Sequence, residues 1–176
     1  MSDDLIHVID DALPKEVANR IERMLKHSDF PWYWGTVFYS GQDATSNDTL
    51  DDGCEELDNS QLCHIFHNGK SFEGDYANKL QALYDLLQIK AFVRVKANLV
   101  PKRDRIFRHG FHYDQSFLCK VAVYYVNNTN GYTEFENGKK VYGVKNRLVI
   151  FPSNMKHSGS TCTNAKARFV INFNFF

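Results

Sequence analysis

The chain has 176 residues, with 21 basic and 21 acidic side chains and a formal net charge of zero. This length suits one domain whose core needs no disulfide or metal staple. The even charge balance argues against a general nucleic-acid binder or a membrane-surface protein, because both usually carry a basic excess. Aromatic residues are abundant, with 14 Phe and 9 Tyr, and with Val they favour strands over helices. The opening MSDDLIHVIDD is acidic and lacks the charged region and apolar run of a secretory signal. No stretch approaches a membrane span, so a soluble cytoplasmic protein is expected. The cysteines Cys54, Cys63, Cys119 and Cys162 form no C-x-x-C pair and read as free thiols in a reducing compartment.

In chain order, residues 14 to 27 predict a helix. Pro14 fits its first turn, Asp10 and Asp11 place negative charge near its start, and Val17, Ile21, Met24 and Leu25 share one face. The aromatic segment FPWYWGTVFY that follows is expected to be extended. Residues 40 to 60 are polar and acidic and read as a long loop of the kind that often serves as a lid. The His64-x-x-His67 pair next to it reads as solvated histidines on a mobile loop, with a second metal site as the lesser alternative. His7 and His27 flank the first helix and carry no signal. Residues 75 to 88 predict a second helix, with Tyr76, Leu80, Leu83, Tyr84 and Leu87 on one stripe.

From residue 91 the pattern changes to strands. Val93, Val95, Ala97 and Leu99 alternate with Arg94, Lys96 and Asn98, as in a half-buried antiparallel sheet or a barrel. FLCKVAVYYV, YTEFE, KKVYGV, RLVIFP and ARFVINFNFF follow as short strands separated by turn signals. The organisation predicted is a single α+β domain over residues 1–176. A helical part and a variable loop occupy 1–90, and a jelly-roll barrel core occupies 91–176.

The chemistry concentrates in His112-Tyr113-Asp114, the later His157 and then Arg168. Residues two apart on a strand point to one side, so His112 and Asp114 can reach one ion. His157 ends an apolar strand and can close the site. Two imidazoles and one carboxylate leave positions open on an octahedral ion, the ligand set of non-heme Fe(II) oxygenases, although Zn(II), Ni(II) or Co(II) suit the same donors. His109 has no carboxylate two residues on and is expected outside the ligand set, behind it or on the surface. Arg168 shares a side with Val170, Asn172 and Asn174, opposite Phe169, Ile171, Phe173 and Phe175. A guanidinium in so apolar a segment needs a partner. That partner is either an internal carboxylate or a dicarboxylate co-substrate held in a bidentate fork.

These residues together resemble the 2-oxoglutarate- and Fe(II)-dependent oxygenases, in particular the prolyl-4-hydroxylase-like branch. The matching text is Phe111-His112-Tyr113-Asp114, Tyr125-Val126-Asn127, Gly131-Tyr132-Thr133-Glu134-Phe135, Phe151-Pro152, His157-Ser158-Gly159 and Arg168, over roughly residues 92 to 176. A further similarity, to members carried by viruses of bacteria, rests on RVKANL and PWYW. The resemblance implies a double-stranded β-helix, with His112, Asp114 and His157 as iron ligands. It implies Arg168 as partner of the distal carboxylate of 2-oxoglutarate, Tyr125 as a second donor to it, and Asn98 in the pocket wall. It implies hydroxylation of an unactivated C–H bond with release of succinate and CO2, and it admits ascorbate as a further cofactor.

The substrate is expected to be read by the N-terminal half and by loops over the barrel mouth. The family analogy favours a peptide or protein side chain such as proline, without membrane or nucleic acid as partner. The acidic 40–60 segment favours a basic or neutral substrate. Trp32, Tyr33, Trp34 and Tyr39 form either an aromatic platform for it or packing between helices and barrel. Two other classes fit part of the pattern: a cupin-like metal-binding jelly roll without oxygenase activity, and a β-sandwich binding module.

Overall fold

The computed structural model describes residues 5–36 and 60–176. The long loop expected over 40–60 lies outside them except for Ser60, which opens a strand. In order the chain forms β1 (His7–Ile9), α1 (Lys15–Leu25), β2 (Tyr33–Thr36), β3 (Ser60–His67), a 3-10 turn (Ala77–Leu80) and α2 (Gln81–Leu87). It continues with β4 (Phe92–Pro101), β5 (Lys120–Tyr125), β6 (Tyr132–Phe135), β7 (Lys140–Tyr142), β8 (Arg147–Pro152), β9 (His157–Gly159) and β10 (Ala167–Phe175). A major sheet runs β1-β8-β5-β10-β4-β3-β2 and a minor sheet runs β7-β6-β9. All strand pairs are antiparallel. Isolated bridges Arg108↔Ser160 and His112↔His157 extend the minor sheet along the outer side of β9. Two antiparallel sheets stacked face to face make the expected jelly roll.

The central pair β4 and β10 shows how alternation builds it. Val95 and Ala97 of β4 and Phe169, Ile171 and Phe173 of β10 point to one face. There they pack with Ile21 and Leu25 of α1 and with Leu80, Leu83 and Leu87 around α2. The helices thus cover the outside of the major sheet. The opposite face turns toward the minor sheet. Part of that inner space is filled by Val121, Val123, Tyr125, Val149, Phe151 and Val170, packed on Phe135, Val141 and Met155. The remainder is a polar cavity walled by Arg94, Lys96, Asn98, Arg168 and Asn172. The polar face of β4 therefore lines the interior.

Several sequence expectations change. The second helix is split into a 3-10 turn and two turns of α-helix, although its stripe of Leu80, Leu83, Tyr84 and Leu87 is buried as expected. The major sheet also crosses the division drawn at residue 90. β1 pairs with β8 at one edge, and β3 and β2 extend the other. His64 and His67 lie on β3 and are buried, not solvated on a mobile loop. The His64 ring centroid lies 4.6 Å from that of Phe30 and 4.7 Å from that of Phe66, with Nδ1 2.9 Å from the Pro31 carbonyl. His67 packs on Phe72 and Phe92. Burial lowers both pKa values, and neither histidine belongs to a metal-ligand cluster among the described residues. Both act as core aromatics.

The aromatic segment divides. Trp32 joins the core, its Nε1 donating to the Leu25 carbonyl at 3.1 Å, whereas Tyr33 and Trp34 are exposed. Tyr39 and Cys54 lie outside the described residues, and Cys63, Cys119 and Cys162 are free thiols. No helix among the described residues is long and apolar enough to cross a membrane.

Candidate metal centre and anion pocket

His112 and His157 meet because their backbones are directly opposed. Each N–H donates to the other's carbonyl, at 3.0 and 3.1 Å. A pair that exchanges both bonds carries its side chains on one face, and the two rings lie 4.7 Å apart between centroids. His112 Nδ1 is 3.3 Å from the Gly110 carbonyl and His157 Nδ1 is 3.2 Å from the Met155 carbonyl. A carbonyl only accepts, so each Nδ1 carries the proton and each Nε2 is left with its lone pair. Burial, and then the neighbouring His157, push the His112 imidazole down to about 4. It is neutral at pH 7, the form that binds a metal.

Asp114 completes the triad, and the ligand atoms of His112, Asp114 and His157 all lie within 4.8 Å of one another. Burial alone would push the Asp114 carboxyl up. The neighbouring His157, Arg94 and His112 and a hydrogen bond from Asn174 outweigh this and hold it below the usual carboxylate range. Asn174 Nδ2 donates to Oδ2 at 2.9 Å, and Arg94 Nη2 donates to Oδ1 at 3.2 Å. Arg94 Nε also donates to Asn174 Oδ1 at 3.1 Å. Arg94 and Asn174 are cross-strand partners on β4 and β10, so the two central strands hold the carboxylate in place. Groups that orient a metal ligand are typically worth about 10- to 100-fold in metal affinity. Asn174→Ala is accordingly expected to weaken Fe(II) binding within that range by anaerobic equilibrium dialysis. An unchanged affinity would remove Asn174 from this role.

Arg168 lines the same cavity, which measures about 100 Å3. It is only 4% exposed. Its Nη2 donates to Thr133 Oγ1 at 3.1 Å, and its Cζ lies 5.6 Å from the Tyr125 ring centroid. No carboxylate among the described residues forms an ion pair with it. The internal salt bridge that the sequence left open is therefore absent from the described structure. Val100, Val123 and Val170 form apolar wall in the same cavity as Arg168 and the triad. A buried cation, an apolar stretch and an open-sided donor triad fit a small carboxylate bridging cation and metal.

Asn98 lines the cavity and accepts from Cys63 Sγ at 3.4 Å. The Tyr125 hydroxyl is fully buried, 2.7 Å from Thr133 Oγ1 and 3.1 Å from the Val141 carbonyl. With its proton given to the carbonyl, Tyr125 accepts from Thr133, which in turn accepts from Arg168. Tyr125 thus reaches the pocket through Thr133, which is itself a cavity residue. His109 is also buried in the cavity wall, not on the surface. Gly131 allows the close approach of Arg168: a Cβ there would sit 2.6 Å from the Thr161 carbonyl and 2.8 Å from Arg168 Cδ. Overpacking of this kind costs about 1–3 kcal/mol. Gly131→Ala is expected to lower stability by that amount in equilibrium unfolding; a neutral result would mean that the backbone there yields freely.

Sequence reasoning did not single out Arg94, Lys96, Asn174 or Thr133 as parts of the site. The signal was present, since Arg94, Lys96 and Asn98 alternate in step on β4 and Arg168, Asn172 and Asn174 do so on β10. What was missing was the knowledge that this face is covered by a second sheet.

No family model matches the chain, and no curated protein matches it in sequence. Solved structures do match. One is a prolyl hydroxylase from Trichoplax adhaerens, in complex with a hypoxia inducible factor oxygen degradation domain peptide fragment. It superposes with a TM-score of 0.64 at 15% identity, covering 99% of this chain and 84% of that one. A Pseudomonas putida prolyl-4-hydroxylase gives 0.63 at 15% identity, covering 97% and 92%. The chain has the prolyl hydroxylase fold. An oxidoreductase of the 2OG-Fe(II) oxygenase family from Burkholderia pseudomallei gives 0.59 at 12% identity, covering 98% and 85%. The shared prolyl hydroxylase fold takes in the N-terminal helices and strands as well as the stretch from 92 to 176.

Proposed function

We propose that the protein is an Fe(II)- and 2-oxoglutarate-dependent dioxygenase that hydroxylates an unactivated C–H bond, releasing succinate and CO2. The observation that carries this reading is the placement of Arg168, a buried cation with no carboxylate partner among the described residues, in one cavity with the His112–Asp114–His157 triad. Bound Fe(II) with 2-oxoglutarate supplies the activation of dioxygen, with ascorbate as an ancillary reductant. His112 and His157 hold the metal through Nε2, and Asp114 holds it through a carboxylate oriented by Arg94 and Asn174. Arg168 takes the distal carboxylate of the co-substrate. Thr133 stands beside it, kept in place by Tyr125, and Asn98 faces the cavity from β4. The valines keep water from the reacting region. No side chain is needed as a strong base.

The substrate we favour is a peptide or protein side chain such as proline. The Trichoplax neighbour, solved in complex with a peptide fragment, supports this by analogy of fold. The test is anaerobic addition of Fe(II) and 2-oxoglutarate. A weak visible chelate band is expected, together with its loss in His112→Ala. A protein that forms no band, or an unchanged band in the variant, would leave a metal-binding jelly roll as the better reading. Substrates are then sought by mass spectrometry of lysate proteins and peptides for the gain of one oxygen atom, dependent on Asp114.

A further inference from the structure

The cavity is more cationic than the co-substrate requires. Among the described residues Arg94, Lys96 and Arg168 all line it, against the one carboxylate of Asp114. Arg94 is committed to Asp114 and Asn174, and Arg168 is assigned above to the distal carboxylate of 2-oxoglutarate. Loading Fe(II) and a doubly charged 2-oxoglutarate adds no net charge, so the cation excess persists in the loaded site. Lys96 is left over. Its ammonium has no hydrogen bond or ion pair among the described residues, and the ionisable groups that act on it are the Cys63 thiol, Arg94 and Asp114.

On β4, Lys96 pairs with Asn172 of β10 on one side and with Ile65 of β3 on the other. Ile65 is 43% exposed, against 4% for Arg168. Lys96 is itself half-buried, whereas Arg168 is buried, so Lys96 is the more accessible of these two cations in the cavity wall. Four residues separate Lys96 from Val100, the partner of Arg168, which is about 13 Å along a strand.

We propose that Lys96 is the contact for an anionic group, in the first instance a carboxylate, on the molecule that is hydroxylated. This rests on the oxygenase reading above and narrows its substrate class to one carrying negative charge near the reacting carbon. The acidic 40–60 segment had favoured a basic or neutral substrate, but the side chains that wall the cavity favour the opposite charge. Burial lowers the pKa of Lys96, and a bound carboxylate would offset that cost by stabilising the charged ammonium.

The test uses the whole protein, held anaerobic with Fe(II) and 2-oxoglutarate. It is titrated with a panel of N-acetyl amino acids, N-acetyl-L-proline among them, and with the corresponding N-acetyl amino amides. The readout is the shift of the visible chelate band on binding. At least one acid is expected to bind about tenfold more tightly than its amide, the effect of one charge-assisted hydrogen bond. In Lys96→Met that preference should shrink to about twofold or less, and Lys96→Arg should restore it. The chelate band itself should be unchanged in both variants, which also reports that they are folded. The proposal is overturned if no acid is preferred to its amide, or if Lys96→Met keeps the preference. It is equally overturned if Lys96→Met abolishes the chelate band, since Lys96 would then be a co-substrate contact. A wild-type protein without any chelate band overturns the oxygenase reading, and this inference with it.

Discussion

Asp114→Ala is expected to lower Fe(II) affinity by more than about 100-fold, because groups that only orient a ligand already contribute about 10- to 100-fold. The triad supplies one anionic donor, and its carboxylate is held ionised by His157, Arg94, His112 and the Asn174 hydrogen bond against the pull of burial. Without it the metal would face two neutral imidazoles. The same change strips Arg94 of its carboxylate while leaving Lys96 nearby, so the metal-free variant should also unfold at a lower temperature than metal-free wild type. Asp114→Asn keeps the shape and removes the charge, and it should fall between the two in affinity. Anaerobic equilibrium dialysis measures the affinity, and thermal unfolding in chelator measures the stability. An Asp114→Ala protein that binds Fe(II) within about threefold of wild type would exclude Asp114 as a ligand, since even an orienting role exceeds that.

Arg168→Met separates binding from folding in the opposite sense. Losing one partner of a buried charge pair across an interface costs about 2–5 kcal/mol, so 2-oxoglutarate should bind about 30-fold more weakly or worse. Fe(II) binding should persist, because Arg168 touches none of the triad. The ligand-free protein should be no less stable than wild type, and its melting temperature is expected to rise. Among the described residues the buried guanidinium has no carboxylate partner and is held by the Thr133 hydroxyl and the Tyr125 ring, and an apolar side chain of similar length removes that desolvation cost. Thermal unfolding with and without 2-oxoglutarate, on Zn(II)-loaded protein, tests both halves. A variant that melts several degrees lower yet binds 2-oxoglutarate normally would make Arg168 a structural residue.

The sequence made much of this site legible. His112-x-Asp114, His157 and Arg168 stand out because an unpaired polar group in an apolar strand demands an explanation. The strands β4 to β8 and β10 follow from alternation and turn signals, whereas β9 was not read from them. β1 escaped because three residues carry no usable period. His64 and His67 were misplaced because histidine reads as polar, although Leu62, His64 and Phe66 form one face of β3. Thr133 passed as part of a turn motif, and only the path from Arg168 through Thr133 to Tyr125 shows what its hydroxyl does.

What the sequence determined by itself was the inventory of donors, their order, and the pairing of side chains into faces along each strand. Which face lies inside was decided by the tertiary structure. The helices cover the apolar side of β4 and β10, and the minor sheet covers the polar side, so Arg94, Lys96, Asn98, Arg168 and Asn172 wall a cavity. The physical reason is that strand periodicity depends on local backbone geometry, whereas burial depends on what packs against the strand from far along the chain. His112 and His157 meet across exactly such a distance, through two backbone hydrogen bonds that no local pattern encodes.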